Sequence, residues 1–325
     1  MRASRIMETL APSMDREFAD WAVLVDPPPV PEWEFFMEWL SRGYQGTLEY
    51  LERTASRRRS LSDGYPGYRS LILGILPYDP RAFSSAPSQG RLEIARYAVG
   101  EDYHVRFEKA FGRVLQDISP LLPEGEKPLI KPDHGSLLEK SFAQMAGLGR
   151  MGKNTLLIHP GLGSWFTIGS LLLKTPLLEK TVPLSERDPC GPCSRCLDAC
   201  PTQAFEAPYL LDARRCLSYL TIERPGEDGD GLRKSLGDRW LFGCDRCQEV
   251  CPHNREHPSS DSGNDLSRFL SVDDPTESDM RAFRTVHGAL SRVPLRRLLE
   301  RAEEVSRFRK EASAPEHGEK RSSPI

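Results

Sequence analysis

Eight cysteines carry the most specific chemistry in this chain of 325 residues. Cys190, Cys193, Cys196 and Cys200 stand in CGPCSRCLDACP. Cys244, Cys247 and Cys251 stand in CDRCQEVCP, and Cys216 lies between the two groups. In the bacterial ferredoxin run C-x2-C-x2-C-x3-C-P, three close thiolates hold one four-iron cubane and the fourth reaches across to the second cluster. Both groups here carry the trailing Cys-Pro. The crossover rule then assigns Cys190, Cys193, Cys196 and Cys251 to one 4Fe-4S cluster, and Cys200, Cys216, Cys244 and Cys247 to the other. Cys216 departs from the symmetric pattern because it stands far upstream of Cys244. Four disulfides or two four-thiolate zinc sites would also use eight thiols. Neither demands an x2, x2, x3-Pro spacing, and two linked cubanes point to the transfer of single electrons.

A second motif, Gly147-Leu-Gly149-Arg-Met-Gly152-Lys153-Asn154-Thr155, matches both G-x-G-x-x-G and most of G-x-x-x-x-G-K-[ST]. Such phosphate-binding turns follow a strand and open a helix, so that the helix N-terminus meets phosphate. Here the motif follows a helical pattern, LLEKSFAQMAG, and precedes a strand pattern. Asn154 also stands where a magnesium-ligating hydroxyl belongs. The sequence therefore predicts a glycine cap and tight turn, whose amides and Asn154 can still approach another cofactor.

The elements that must position these groups are those of a mixed α/β chain. WEFFMEWLSRG reads as a helix over Trp33 to Gly43, and SLILGIL as a buried strand from Ser70 closed by Pro77. Phe107, Phe111, Val114, Leu115 and Ile118 recur at helical spacing and predict one long helix from Arg91 to Leu121. A strand over Pro128 to Pro132 and a helix over Leu137 to Ala146 follow. Thr155–His159 and Ser164–Leu173, separated by PGLG, read as a hairpin. HNREHPSSDSGND reads as a linker, and Leu295, Leu298, Leu299, Ala302 and Val305 as one helix stripe. From Glu311 the chain is polar and charged, with too little apolar surface to offset ordering entropy. The predicted organisation is an α/β domain over 1–178, a two-cluster module over 179–260, a short helical region over 261–310 and a disordered tail over 311–325.

Composition fits a globular protein, and its net charge of −3 excludes a broadly cationic coat while leaving room for a local basic surface. Arg57, Arg58 and Arg59 form one basic run; Arg292, Arg296, Arg297, Arg307, Arg309 and Lys310 form another. WFTIGSLLL is much shorter than the roughly twenty residues that cross a bilayer. MRASRIMETLAPSMDREF has neither an apolar core nor a small-residue cleavage site. These features predict a cytosolic protein without a membrane span.

The blocks ARYAVGEDYH, PDHGSLLEKSFAQMAGLGRMGKNTLLI, GSWFTIGSLLL, CLSYLTIE and FGCDRCQEVCPHN, taken with the first cysteine run, resemble the epoxyqueuosine reductases over roughly Tyr44 to Asn254. That family is similar in architecture to the reductive dehalogenases. The resemblance implies an α/β corrinoid-binding domain, a ferredoxin-like module with two 4Fe-4S clusters, and cobalamin as cofactor. It also implies reduction of the epoxide of epoxyqueuosine, at the wobble position of a tRNA, to the alkene of queuosine. An external one-electron donor and a monomer are expected with it. Asp133 matches the family's proton-donating aspartate, and burial against the corrin would favour its neutral form. By residues alone, Pro132-Asp133-His134-Gly135 reads as a turn, and His134 as a surface residue. The corrin contacts carried over are Tyr97, Asp133, Asn154, Thr155, Ser164 and Ser218, with Gly243 and Asp245 flanking Cys244. A corrinoid enzyme acting on a small molecule, such as a dehalogenase, and a plain ferredoxin-type carrier are the two alternatives. The family's longer members continue into a helical-repeat domain, and its Arg-Asn-rich segment is replaced here by VPLRRLLERAEE.

Overall fold

The computed structural model describes residues 2–78, 92–182, 188–223, 240–254 and 275–313. The first part runs α1 (Arg2–Glu17), β1 (Asp20–Val25), α2 (Trp33–Ser41), α3 (Glu49–Arg53), α4 (Leu61–Gly64), β2 (Ser70–Pro77), β3 (Glu93–Ile94), α5 (Tyr103–Ile118), β4 (Leu129–Lys131), α6 (Glu139–Met145), β5 (Arg150–Met151), β6 (Leu157–Ile158) and β7 (Phe166–Leu173). Four strands form one antiparallel sheet in the order β1-β2-β7-β4. Its two long strands are apolar nearly throughout because both faces are covered, and side chains two apart share a face. Ile72, Leu76, Leu171 and Leu173 pack on one side against α1 and α5. Leu71, Leu73, Ile75 and Leu172 pack on the other against Phe142 and Ala143 of α6.

Gly74 pairs with Gly169 at the centre of this sheet. A β-carbon on either would lie within 2.6 Å of the ring of Phe18 or Phe107 respectively, and those rings stack 6.1 Å apart. The glycine pair thus makes the hollow in which two aromatic rings lie flat on the strands. Helix α1 answers with Ile6, Leu10 and Met14, all fully buried, at the i, i+4, i+8 spacing of one helix face.

The cysteine region contributes α7 (Arg195–Asp198), β8 (Phe205–Ala207), β9 (Leu210–Leu211), α8 (Leu217–Ile222), β10 (Trp240–Phe242) and α9 (Arg246–Glu249). It is tied back to the first part, because β10 pairs in parallel with β3 and Trp39 of α2 donates to the Leu211 carbonyl at 2.6 Å. The last helices, α10 (Glu277–Val286) and α11 (Leu295–Ser313), bury Met280, Phe283, Leu298, Ala302 and Val305 against Ile94, Leu241 and Phe242. Thr276 and Asp279 close α10 with a capping box. No helix among the described residues is long and apolar enough to cross a membrane.

The structure redraws several expected elements. The long helix expected from Arg91 begins only at Tyr103, where Asp102 caps it by accepting the His104 amide. Upstream, Glu93–Ile94 leaves for a strand partner at 240–242, and Arg96–Ala98 forms a 3-10 turn. The expected hairpin keeps its turn, bridged between His159 and Gly163, but β6 pairs with β5 rather than β7. Helix α11 reaches Ser313, past the start of the expected tail. The polar linker after Asn254 lies outside the described residues.

Candidate functional site

The GKNT turn sits where the two cysteine groups meet. As expected from sequence, helix α6 precedes it and Gly147 is in the left-handed region (φ +88°). Lys153 does not address a phosphate. Its ammonium donates to the carbonyls of Gly191 at 2.6 Å and Cys193 at 3.0 Å, and its amide donates to Cys190 Sγ at 3.4 Å. Asn154 folds its own turn, accepting the Leu156 amide at 3.3 Å. Sequence reasoning missed Lys153; the cue was a lysine in a turn whose helix and strand are in the wrong order for nucleotide.

All eight thiols are free of disulfides, and they fall into two groups. Cys190, Cys193, Cys196 and Cys251 line one small cleft together with Asn154 and Ile158. In the other group Cys244 is an electrostatic neighbour of Cys200 and Cys216, and Cys247 of Cys216 and Cys244. Burial, reinforced by the other thiols, pushes Cys196 up to about 11 and raises Cys244 and Cys247 as well. Four such thiols ionise together only around a cationic core. Cys200 Sγ accepts the Ala204 amide at 3.3 Å and lies 3.5 Å from the Thr202 hydroxyl, contacts of the kind that tune a cluster's potential. Among the described residues no three His, Cys, Asp or Glu side chains converge to hold a single ion. The ligands of a cubane need not, since each binds a different iron.

Beside the second group opens a cavity of about 580 Å³. Cys216, Cys244 and Cys247 form part of its wall; Leu137, Leu157, Phe166, Ile168, Phe205 and Leu211 give it apolar surfaces. Tyr97, Asp133, Asn154, Thr155, Ser164, Ser218 and Asp245 all line it, so seven of the eight residues expected around a ring are brought together. Ser164 donates its hydroxyl to Gln248 Oε1 at 3.0 Å, and its amide donates to Asn254 Oδ1 at 2.7 Å. Glu139 also lines the cavity, with one carboxylate oxygen buried and without a partner. Burial, with Asp133 nearby, pushes Glu139 up to about 8.

Asp133 has a positive φ of +81°, a conformation that costs a non-glycine residue about 1–3 kcal/mol and needs surrounding support. That support comes from Tyr103, the first residue of α5, whose hydroxyl donates to Asp133 Oδ2 at 2.5 Å. Three residues on, the Ser136 amide donates to the Tyr65 hydroxyl at 3.0 Å. Asp133 is exposed toward the cavity, and His134 is exposed with its ring stacked on His104 at 5.8 Å.

One expectation is corrected here, and two further groups show contacts that the sequence did not indicate. Gly243 does not line the cavity; a β-carbon there would meet the Ala95 β-carbon at 2.5 Å, so with φ +71° it lets β10 close onto the chain before Arg96. Asp245 lines the cavity, but its Oδ2 accepts from the Arg96 amide at 2.8 Å and Nη1 at 3.1 Å. Burial still pushes this carboxyl up to about 6, against the pull of Arg96. The members of the two basic runs differ in their surroundings. Arg58 is buried and donates to the Leu137 carbonyl at 3.1 Å, whereas Arg57 and Arg59 are exposed. Arg292 pairs with Asp102 at 2.9 Å, and Arg296 and Arg297 pair with Glu300.

Two family models match parts of the chain: a 4Fe-4S double cluster binding domain over residues 189–254 and epoxyqueuosine reductase QueG, DUF1730, over residues 58–128. The cysteine region is thus a two-cluster 4Fe-4S domain. An epoxyqueuosine reductase of Pseudomonas aeruginosa is 41% identical over 221 residues, 67% of this chain and 60% of that protein. One of Synechococcus is 40% identical over 229 residues, 70% of this chain and 67% of that protein. The chain therefore spans about three fifths to two thirds of the length of these relatives. A crystal structure of epoxyqueuosine reductase with an epoxyqueuosine-modified tRNA-Tyr stem loop superposes with a TM-score of 0.80 at 24% identity, covering 96% of this chain and 83% of that one.

Proposed function

Since the chain belongs to the epoxyqueuosine reductase family, we propose that it reduces the epoxide of epoxyqueuosine in tRNA to the alkene of queuosine, using cobalamin and two 4Fe-4S clusters. The observation that carries this reading is the meeting, in one cavity, of a carboxyl group on a strained turn with three thiols of the second cysteine group. The cavity suits a corrinoid: its apolar walls would pack against the ring, and its hydroxyls, Asn154 and the unpartnered oxygen of Glu139 would partner the cofactor's amides. When bound, the corrinoid supplies the reducing centre at the epoxide carbon, and the clusters deliver electrons one at a time.

The chain's own residues have three tasks. Cys190, Cys193, Cys196 and Cys251 hold the outer cluster, and Cys200, Cys216, Cys244 and Cys247 hold the one beside the cavity. Tyr97, Asn154, Thr155, Ser164 and Ser218 seat the ring. Asp133 supplies a proton to the epoxide oxygen, which gains negative charge as the ring opens. Two electrons and two protons turn the epoxide into an alkene and water, so an external one-electron donor must act twice.

The nucleoside reaches the cavity from an anticodon whose bases splay out, and phosphates are held by exposed cations such as Arg57 and Arg59. Free thiols suit a reducing cytosol. Anaerobic protein loaded with cobalamin is expected to hold eight irons, to show corrin absorbance, and to convert epoxyqueuosine tRNA to queuosine tRNA in a nucleoside digest. Asp133→Asn is expected to keep both cofactors and lose turnover by about 10²–10⁴-fold. A loaded parent that leaves the epoxide intact, or an Asn variant at full rate, would refute the reading.

A further inference from the structure

We propose that Arg292, in the turn between the last two helices, is a positioning residue that sets the direction of the proton on Asp133 through Tyr103. This rests on the reading of Asp133 as the acid. Arg292 ends a 3-10 turn over Gly288–Arg292 that docks on the chain leading into α5. The Gly288 amide donates to the Gly100 carbonyl at 3.1 Å, and the Gly100 amide donates to His287 Nδ1 at 2.9 Å. Ala289 and Leu290 of the same turn are fully buried. The turn is therefore fixed at both levels, by backbone pairing and by packing.

From that turn one guanidinium reaches two neighbours in sequence. Its Nη2 donates to Asp102 Oδ1 at 2.9 Å and its Nη1 to the Tyr103 hydroxyl at 3.3 Å, while its plane lies over the Tyr103 ring at 4.9 Å. His104 Nδ1 is a further close contact. Arginine only donates and is always charged. A phenol has one proton and two lone pairs; Arg292 takes one lone pair and so turns the hydroxyl with its proton toward Asp133 Oδ2, the bond of 2.5 Å described above. A neutral Asp133 whose Oδ2 accepts that bond carries its own proton on Oδ1, the oxygen left for the substrate. Arg292 fixes the Tyr103 hydroxyl, Tyr103 fixes Oδ2, and the acid presents one oxygen.

The competing role for Arg292 is a phosphate contact, shared with the other arginines of this region. The surroundings separate them: the Arg292 side chain is 32% exposed and ion-paired to Asp102, whereas that of Arg296 is 74% exposed. Asp102 is in turn the cap of α5, so withdrawing Arg292 to meet a phosphate would strip a carboxylate that holds the helix carrying Tyr103.

The test uses cofactor-loaded full chain with Arg292→Met, Arg292→Lys, Tyr103→Phe and the double variant Arg292→Met/Tyr103→Phe. Tyr103→Phe is expected to lower kcat by about ten- to a hundredfold and Arg292→Met by about tenfold, with KM for tRNA within about twofold of the parent. The double variant should be no slower than Tyr103→Phe, because both act through one hydroxyl. Lysine should rescue only part of the loss, since one ammonium cannot replace the fork. Hydrogen exchange of residues 131–136 should quicken by about tenfold in both single variants. Multiplying effects, unchanged exchange, or a raised KM with normal kcat would overturn the proposal. Exchange that quickens in a protein whose parent never reduces epoxyqueuosine would leave the positioning role standing and remove the proposed reaction.

Discussion

The central sheet and the cysteine module both wall the cavity, yet they are stiff for different reasons. In the sheet, β2 and β7 send alternate side chains into two apolar layers, and α1, α5 and α6 close those layers with buried rings and aliphatics. In the module, α7 and α9 are four residues each, and its own buried apolar cluster is small: Ala213, Leu217, Tyr219, Leu220 and Trp240. Thiols occupy the positions where a core would otherwise be, and Lys153 clamps their loop. The turn carrying Asp133 follows β4 of the sheet, so the half with the proposed acid folds by hydrophobic burial. The half with the two-cluster domain depends on its metal. The proposed acid and the clusters can then be broken separately.

Removing iron should break the comparison most deeply. Anaerobic chelation, or Cys247→Ser, is expected to abolish epoxide reduction and to release amide protection over 190–200 and 244–251, while the amides of β2 and β7 stay protected. Hydrogen exchange reads both halves in one sample. Sheet and module losing protection together would mean that the sheet's layers are not self-supporting.

Gly169→Val is the reciprocal lesion. The added branches collide with the Phe107 ring, already 2.4 Å from where a β-carbon would be, and overpacking of this kind costs about 1–3 kcal/mol. Denaturant unfolding should shift by that amount while the iron content per folded chain stays at the parent's value. An unshifted midpoint would show that Phe107 yields freely, and the ring-on-glycine packing would lose its significance.

The two-cluster character of the cysteine region was legible because ligation chemistry writes its spacing into a dozen neighbouring residues, and β2 and β7 because a strand covered on both faces must be an apolar run. The turn character of GKNT followed from the order of its flanking elements. What was hidden depended on partners remote in sequence. Glu93–Ile94 looks like the start of a helix until β10, at 240–242, is brought beside it. Arg58 looks like one of three solvated arginines until Leu137 offers a carbonyl. Arg292 looks like one more member of a basic run until Asp102 and Tyr103 come into reach. Helix α1 is written in the spacing of Ile6, Leu10 and Met14, but Pro12 within it disguises that periodicity. Asp133 reads as a turn residue by propensity, and the structure adds the strained φ and the tyrosine that make the turn unusual.

The smallest expected effect lies at the seam between the two halves, where Glu139 starts α6 and lines the cavity. Its carboxyl is ordinarily half-ionised near 4.5 and in the folded protein is pushed up to about 8, chiefly by burial. Between those values the folded chain holds a proton that the unfolded chain has lost, so stability falls as pH rises through the window. This contribution is complete below 4.5 and gone above about 8. Glu139→Gln keeps a neutral group of the same shape and removes the titration. Thermal unfolding of loaded parent and variant, compared at several values from pH 5 to 8, should therefore diverge, with the parent losing roughly one to a few degrees more than the variant toward pH 8. Asp245 and His287 titrate in both proteins and cancel in the difference. Parallel curves would mean that Glu139 is solvated through the cavity, and that its unpartnered oxygen is not a site prepared for a cofactor amide.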